Sequence, residues 1–212
     1  MRQQSYPLSY EISRPEHYNR WSVAFRLILA IPQLILVGGL GPALGRGNGL
    51  LGAVLGVLVL FAWFAILFTR RFPAGMREFC HLLFRWLQNV RAYVLLQAEP
   101  YPPFGAGPYP LDLRIVSAEH YNRWAVFFRI ILVIPHVVVL FFLEIAQAFV
   151  TLLAWFAILF TGQYPAGMFT FSVGVSRWSA RVEAYLYLFV DEYPPFSLAS
   201  QTGAPMAGTQ PA

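Results

Sequence analysis

Charge is the first thing this chain lacks. Only 12% of its residues are charged, about half the share usual in a soluble domain, and four long stretches carry almost none. Lysine is absent altogether, so all 15 basic residues are arginine. The net charge of +5 comes from arginines scattered beside apolar segments, not from the basic stripe that nucleic-acid binding needs. Anionic lipid headgroups are the more natural counter-charge. Cysteine is nearly missing: Cys80 alone excludes an internal disulfide and any Cys-x-x-Cys metal site. Catalytic signatures are missing as well. There is no Gly-x-Ser-x-Gly elbow, Walker loop, His-Glu-x-x-His helix or dinucleotide fingerprint. Without an assembled nucleophile, base and oxyanion donors, an enzyme is not expected, and neither a cofactor nor a metal is implied. The N-terminal stretch has no signal-peptide shape, because Glu11, Arg14, Pro15, Glu16 and Arg20 interrupt it before any apolar run. An uncleaved signal-anchor is the expectation.

What the chain has in abundance is apolar surface, arranged twice. Hydrophobic residues make up 58% and aromatics 17%. Tyr18-Asn19-Arg20-Trp21 returns as Tyr121-Asn122-Arg123-Trp124, and the block Ala62–Thr69 returns as Ala154–Thr161. Pro73-Ala74-Gly75-Met76 returns as Pro165-Ala166-Gly167-Met168, and Tyr101-Pro102-Pro103-Phe104 as Tyr193-Pro194-Pro195-Phe196. A repeat of this length is a whole structural unit, and two such units usually pack about a pseudo-symmetry axis. The organisation expected is therefore a first membrane repeat over 6–104, a second over 109–196, and a disordered tail over 197–212, which is small, polar and dotted with Pro and Gly.

Each unit opens with a two-residue alternation: Tyr6, Leu8, Tyr10 and Ile12 in the first, Tyr109, Leu111, Leu113 and Ile115 in the second. That period reads as a half-buried strand. Two apolar helices are expected next, about Ser22–Leu40 and Leu50–Phe68, then about Ala125–Leu143 and Ile145–Phe160. At 1.5 Å per residue they measure roughly 24–29 Å, enough for a roughly 30 Å hydrocarbon core with some thinning. The first pair is joined by a Gly-rich stretch and the second by a tight turn near Glu144. A third helix follows each pair. Arg77, Glu78, His81, Arg85, Gln88 and Asn89 share one face in the first copy, and Arg177 and Arg181 mark the same face in the second. Arginine opposite Trp and Phe is the pattern of a helix lying in the membrane interface. The fold class predicted is thus an all-α membrane protein: four transmembrane helices in two tandem hairpins, two cytoplasmic interfacial amphipathic helices and a short two-stranded element. Arginines flank the outer ends of both hairpins, whereas the tips carry only Arg46 and Glu144. The positive-inside rule then puts both termini in the cytoplasm, with the protein in the cell (inner) membrane.

The order of motifs runs Tyr-Pro strand, His-Tyr-Asn-Arg-Trp, Ile-Pro span, Ala-Trp-Phe-Ala-Ile-Leu-Phe-Thr, Tyr/Phe-Pro-Ala-Gly, Arg-Trp helix and Tyr-Pro-Pro-Phe. It resembles the bacterial membrane-protein family called domain of unknown function 4389. The second copy matches from Tyr109 to Phe196; the first, Tyr6 to Phe104, departs by its Gly-rich insertion and by Glu99-Pro100 before Tyr101. The resemblance implies an integral membrane protein and brings no activity with it.

The candidate site residues are the matched Arg and Trp pairs. Arg20, Trp21, Arg26, Arg85 and Trp86 in the first copy, with Arg123, Trp124, Arg129, Arg177 and Trp178 in the second, are expected to touch lipid or a partner. Arg26 and Arg129 lie inside apolar helices, where an arginine is a functional candidate by default, although both are near enough to an end to snorkel. Pro32 and Pro135 are read as kinks that shape packing. His17 and His120 match between copies but lack a second nearby ligand. Glu11 aligns with Arg114, and Arg91 with Glu183. Equivalent positions face one another at a twofold axis, so these opposite charges are expected to form inter-repeat pairs. The functional expectation is a non-catalytic scaffold or accessory subunit that organises lipids or a larger complex, with membrane lipids as partners and a protein partner or oligomer left open. A transporter or channel for a small hydrophobic or anionic solute is the alternative.

Overall fold

The computed structural model describes residues 6–37, 49–105, 107–118 and 120–200. Its short strands β1 (Leu8–Glu11) and β2 (Asp112–Ile115) pair antiparallel, Leu8 opposite Ile115 and Glu11 opposite Asp112. The alternation in each strand has its expected meaning: Leu8, Tyr10 and Leu113 point into the core.

The repeated Asn-Arg-Trp is a helix start. Asn19 accepts the amides of Trp21 and Ser22 at 3.0 and 3.4 Å, and Asn122 that of Trp124 at 3.0 Å. These bonds satisfy orphan donors of the first helical turn. From there the first copy runs through α1 (Arg20–Ala24), α2 (Arg26–Val37) and α3 (Leu50–Thr69), and the second through α5 (Arg123–Thr161). Both stretches end in one geometry. Thr69 and Thr161 each return a hydroxyl hydrogen bond of 2.7 Å to the carbonyl four residues back. The residue after each, Arg70 at φ 59° and Gly162 at φ 76°, turns left-handed, which closes the helix.

The hairpins of the sequence reading are not what forms. The turn expected near Glu144 is absent, and α5 runs unbroken through 39 residues. Leu143-Glu144-Ile145-Ala146-Gln147 contains no Gly or Pro to stop a helix, and Glu144 is held inside by the Ser179 hydroxyl at 2.7 Å. The first copy builds the same element in pieces. Alignment on Asn-Arg-Trp sets Val37 on Leu140, and alignment on Ala-Trp-Phe-Ala sets Gly49 on Phe141. Residues 38–48 are therefore wholly additional, and the Gly49 amide lies 3.4 Å from the Val37 carbonyl. Four crossings are accordingly not found. Among the described residues two helices are long and apolar enough to cross a membrane, Leu50–Thr69 and Arg123–Thr161, while Arg26–Val37 is shorter.

The third helices, α4 (Ala74–Val94) and α6 (Ala166–Leu186), run back along these stretches. Most of α6 is covered by the protein itself, whereas α4 keeps Glu78, Phe79 and Arg85 exposed. The supposed polar face of α6 is covered by β1 and by the segment after Phe196. Arg177 donates to the Tyr10 and Leu198 carbonyls at 3.0 and 3.1 Å, and Arg181 to those of Ser197 and Ala199 at 3.1 and 2.8 Å. Leu198 seats against Gly174, where a Cβ would come within 3.0 Å of its side chain. Residues 197–200, read as the start of a disordered tail, are thus bound to the fold; 201–212 lie outside the described residues. In α4, Gln88, Asn89 and Arg91 are buried while Arg85 stays exposed.

The copies interlock reciprocally. The Tyr18 amide donates to the Gly162 carbonyl at 3.1 Å and the Tyr121 amide to the Arg70 carbonyl at 3.3 Å. The Trp155 indole donates to the Val23 carbonyl at 2.9 Å and the Trp63 indole to the Val126 carbonyl at 3.2 Å. Each of these four bonds has its mate with the copies exchanged, which is what a pseudo-twofold axis requires. The start of each long stretch therefore lies beside the end of the other.

Candidate functional site

The matched intrahelical arginines are clamps. Arg26 is 1% exposed and Arg129 2%. Nη1 of Arg26 donates to the Tyr93 and Ala98 carbonyls at 3.1 and 2.8 Å, and Nη2 to the Glu99 carbonyl at 3.2 Å. Arg129 does the same with Tyr185 at 2.5 Å and Val190 at 3.0 Å, then differs: its Nη2 takes the Asp191 carboxylate at 2.7 Å. Each guanidinium also lies over a tyrosine ring, 4.4 Å from Tyr93 and 4.1 Å from Tyr185. These carbonyls belong to the ends of α4 and α6 and the turns beyond, where Leu96 and Leu188 are left-handed at φ 63° and 65°. A cation there answers the exposed carbonyls and the negative end of the helix dipole. Tyr18 and Tyr121 complete each cap with hydroxyl bonds of 2.8 Å to the Leu96 and Leu188 carbonyls.

The remaining lipid-contact candidates divide sharply. Trp21 is 76% exposed and Trp124 74%, beside exposed Arg20 and Arg123. Trp86 and Trp178 instead point inward, donating to Gln33 Oε1 at 2.9 Å and His136 Nδ1 at 3.1 Å. Arg177 is committed to β1, leaving Arg85 as the exposed member of that group. Of the inter-repeat pairs, Arg91 and Glu183 meet at 3.6 Å near the axis. Glu11 and Arg114 take other partners, Arg177 at 3.1 Å and Asp112 at 2.9 Å. The strands do pair, but the register sets Glu11 opposite Asp112 and Ser9 opposite Arg114.

Around Arg91 lies a polar network that the sequence reading passed over. Glu144 is 3.7 Å from Arg91 and accepts from Ser179. The Gln88 amide donates to Glu183 at 2.6 Å. Gln147 and Gln97 both donate to the Ser176 hydroxyl, at 2.9 and 2.8 Å, and Tyr10 donates to Gln97 at 2.9 Å. Beside this network opens a cavity of about 550 Å³, within the roughly 300–1,000 Å³ range of small-molecule pockets. Arg26, Arg91, Glu144, Gln147 and Thr151 supply its polar lining; Leu27, Val94, Leu95, Leu96, Ile145, Ala148, Leu152 and Trp155 supply the apolar remainder.

The polar lining of this cavity is not repeated in the aligned residues of the first copy. Glu144, Gln147 and Thr151 stand where the first copy has Gly52, Leu55 and Val59; Ser172, Ser176 and Ser179 stand where it has Cys80, Phe84 and Leu87. On that side of the axis Phe84, Phe72 and His81 pack on Phe189, with centroids 5.4, 6.4 and 4.6 Å apart. Burial there raises the Cys80 thiol to about 11 and, with Arg77 and Arg85 nearby, lowers His81 to about 4. A signal for the site was present: polar residues spaced three and four apart on both helices of one copy, apolar ones in the other. Among the described residues, no group of three or more His, Cys, Asp or Glu is arranged to hold a metal.

Fold and site together define a tandem-repeat helical protein, apolar outside and polar at one inter-repeat cavity. A family model for a domain of unknown function, DUF4389, matches residues 47–106 and 123–197. That is more than half of the chain, in two tandem segments, so the chain belongs to this family. No curated protein and no solved structure matches it.

Proposed function

We propose that the protein is a non-catalytic membrane scaffold that sits in the inner leaflet of the cell membrane and organises lipids or a larger complex around it. The observation that carries this reading is the outer face of α5. Phe127, Ile131, Val138, Phe142, Phe149 and Phe160 are among its exposed side chains, and no exposed charge follows Arg123 before the helix ends. Soluble monomers rarely carry apolar patches beyond a few hundred Å². Its polar residues, Arg129, His136, Glu144 and Gln147, all face inward.

The length of α5 favours a helix held along the bilayer over one that crosses it upright. Its 39 residues measure about 58 Å, nearly twice the roughly 30 Å hydrocarbon core. Four crossings would need α5 to break near Glu144 and surrender the buried contacts of that carboxylate. Exposed Trp and Arg at the start of each long stretch suit the headgroup layer, and the net positive charge suits the anionic inner surface, with the termini cytoplasmic. A through-path along Arg26 and Arg129 is disfavoured because the Nη atoms of both are fixed by helix-end carbonyls. The test is extraction. Native membranes are washed with alkaline carbonate and the protein is then floated with phosphatidylglycerol vesicles. It should resist the wash and rise with the lipid; recovery as a monomer in detergent-free buffer would end the proposal.

A further inference from the structure

We propose that the inter-repeat cavity binds a single-chain amphiphile with an anionic head, carboxylate or phosphate, seated at Arg26. The inference goes beyond the scaffold reading and does not depend on it, since the cavity is built inside the protein.

Three observations converge on the head group. Arg26 is almost wholly buried, and its hydrogen bonds all go to backbone carbonyls. Its twin Arg129 is neutralised by the Asp191 carboxylate, whereas Glu99, at the matching position, offers Arg26 only its backbone carbonyl. A buried cation without a bonded carboxylate is costly. Finally, one buried atom at the cavity wall, Arg26 Nε, has no hydrogen-bond partner in the structure. An anion in the cavity would accept from it.

The tail follows from the rest of the wall. Leu27, Ile145, Leu152 and Trp155 line the cavity, and Leu27, Ile145 and Leu152 are also exposed on the outside, so apolar surface continues from interior to exterior. An aliphatic chain buries well against such a wall. A cationic or zwitterionic head would bring a positive charge toward Arg26 and is disfavoured.

The full chain in phosphatidylcholine nanodiscs is photolabelled with a diazirine-bearing fatty acid, and adducts are mapped by mass spectrometry. Competitors are dodecanoate, dodecyl phosphate, dodecanol and dodecyltrimethylammonium. The expected result is labelling within residues 94–96 and 145–152 that either anion removes, and that the alcohol and the cation leave in place. Stronger competition by dodecanoate assigns a fatty-acid head; stronger competition by dodecyl phosphate assigns a phospholipid-derived one. Ala148→Trp should abolish labelling by filling the space while circular dichroism stays unchanged. Labelling spread over the outer face that no competitor removes, equal competition by dodecanol, or undiminished labelling in Ala148→Trp would overturn the proposal.

Discussion

Replacing Arg129 by Met keeps the apolar stem and removes the guanidinium, so it isolates the clamp. Three acceptors lose a donor at once: the Tyr185 and Val190 carbonyls and the Asp191 carboxylate, of which Tyr185 keeps the Leu188 amide and Asp191 the Asn122 amide. Removing one partner of a buried pair costs about 3–5 kcal/mol. Asp191 is partly open to water, which rehydrates it and favours the lower end, about 3 kcal/mol. For a chain of this size that is a fall in melting temperature of about 6–12 °C. Arg26→Met takes a donor from three carbonyls, of which Tyr93 keeps the Leu96 amide, and from no carboxylate, so it should cost less, about 2 kcal/mol. Adding Asp191→Asn to Arg129→Met should then recover about 1 kcal/mol by removing the stranded charge, a coupling that Arg26→Met cannot show. Circular dichroism and intrinsic fluorescence melts of all variants in one detergent read these values. A melting point for Arg129→Met within the about 0.5 kcal/mol of an ordinary surface change would refute the clamp.

Three further outcomes are expected. His81 titrates near pH 6.5 when unfolded and near 4 when folded, so between these values the unfolded chain binds the extra proton and stability falls as pH falls; melts from pH 7 to 4.5 should show the decline, and His81→Gln should flatten it. A chain lacking residues 38–48 should fold with its helix content intact and bind vesicles as before, since its ends already meet and the second copy has no such residues; loss of folding would mean that the first copy is a hairpin after all. Trp21→Ala with Trp124→Ala should weaken vesicle partitioning while leaving the melt unchanged, because both rings lie outside the fold; equal partitioning would remove them from the membrane contact.

How much of this could be read from the residues depends on which atoms a motif addresses. Asn-Arg-Trp, Pro-Ala-Gly and the alternating strands act on their neighbours in sequence, so cap, helix start and strand were legible. The tandem duplication was legible for the same reason. The spans were not. An apolar run of twenty residues looks much the same whether it ends in a turn or continues, and beside the missing Gly or Pro it is the contacts of Glu144 with Ser179 and Arg91, residues far away in the chain, that hold α5 continuous. Arg177 and Arg181 misled for a related reason. Arginine at helical spacing predicts a solvated face only when nothing supplies carbonyls to cover it, and here β1 and residues 197–200 supply them.

The pattern of identity and difference between the copies has one cause. A residue that binds across the axis at a distance meets the partner copy's equivalent surroundings, so the same residue serves twice: Tyr18 with Tyr121, Trp63 with Trp155. A residue near the axis meets its own equivalent. Identical charges there would repel by about 4 kcal/mol at 4 Å in a partly polar interior, which excludes two arginines or two glutamates where Arg91 faces Glu183 at 3.6 Å. A dimer of identical repeats could not hold that pair. Once the copies share a chain, the positions are free to diverge, and the divergence spreads outward from Arg91. Glu144 and Gln88 join its pair, and Ser179 follows Glu144. The polar side with its cavity and the aromatic side packed on Phe189 are then two resolutions of a single asymmetry that the axis itself imposes.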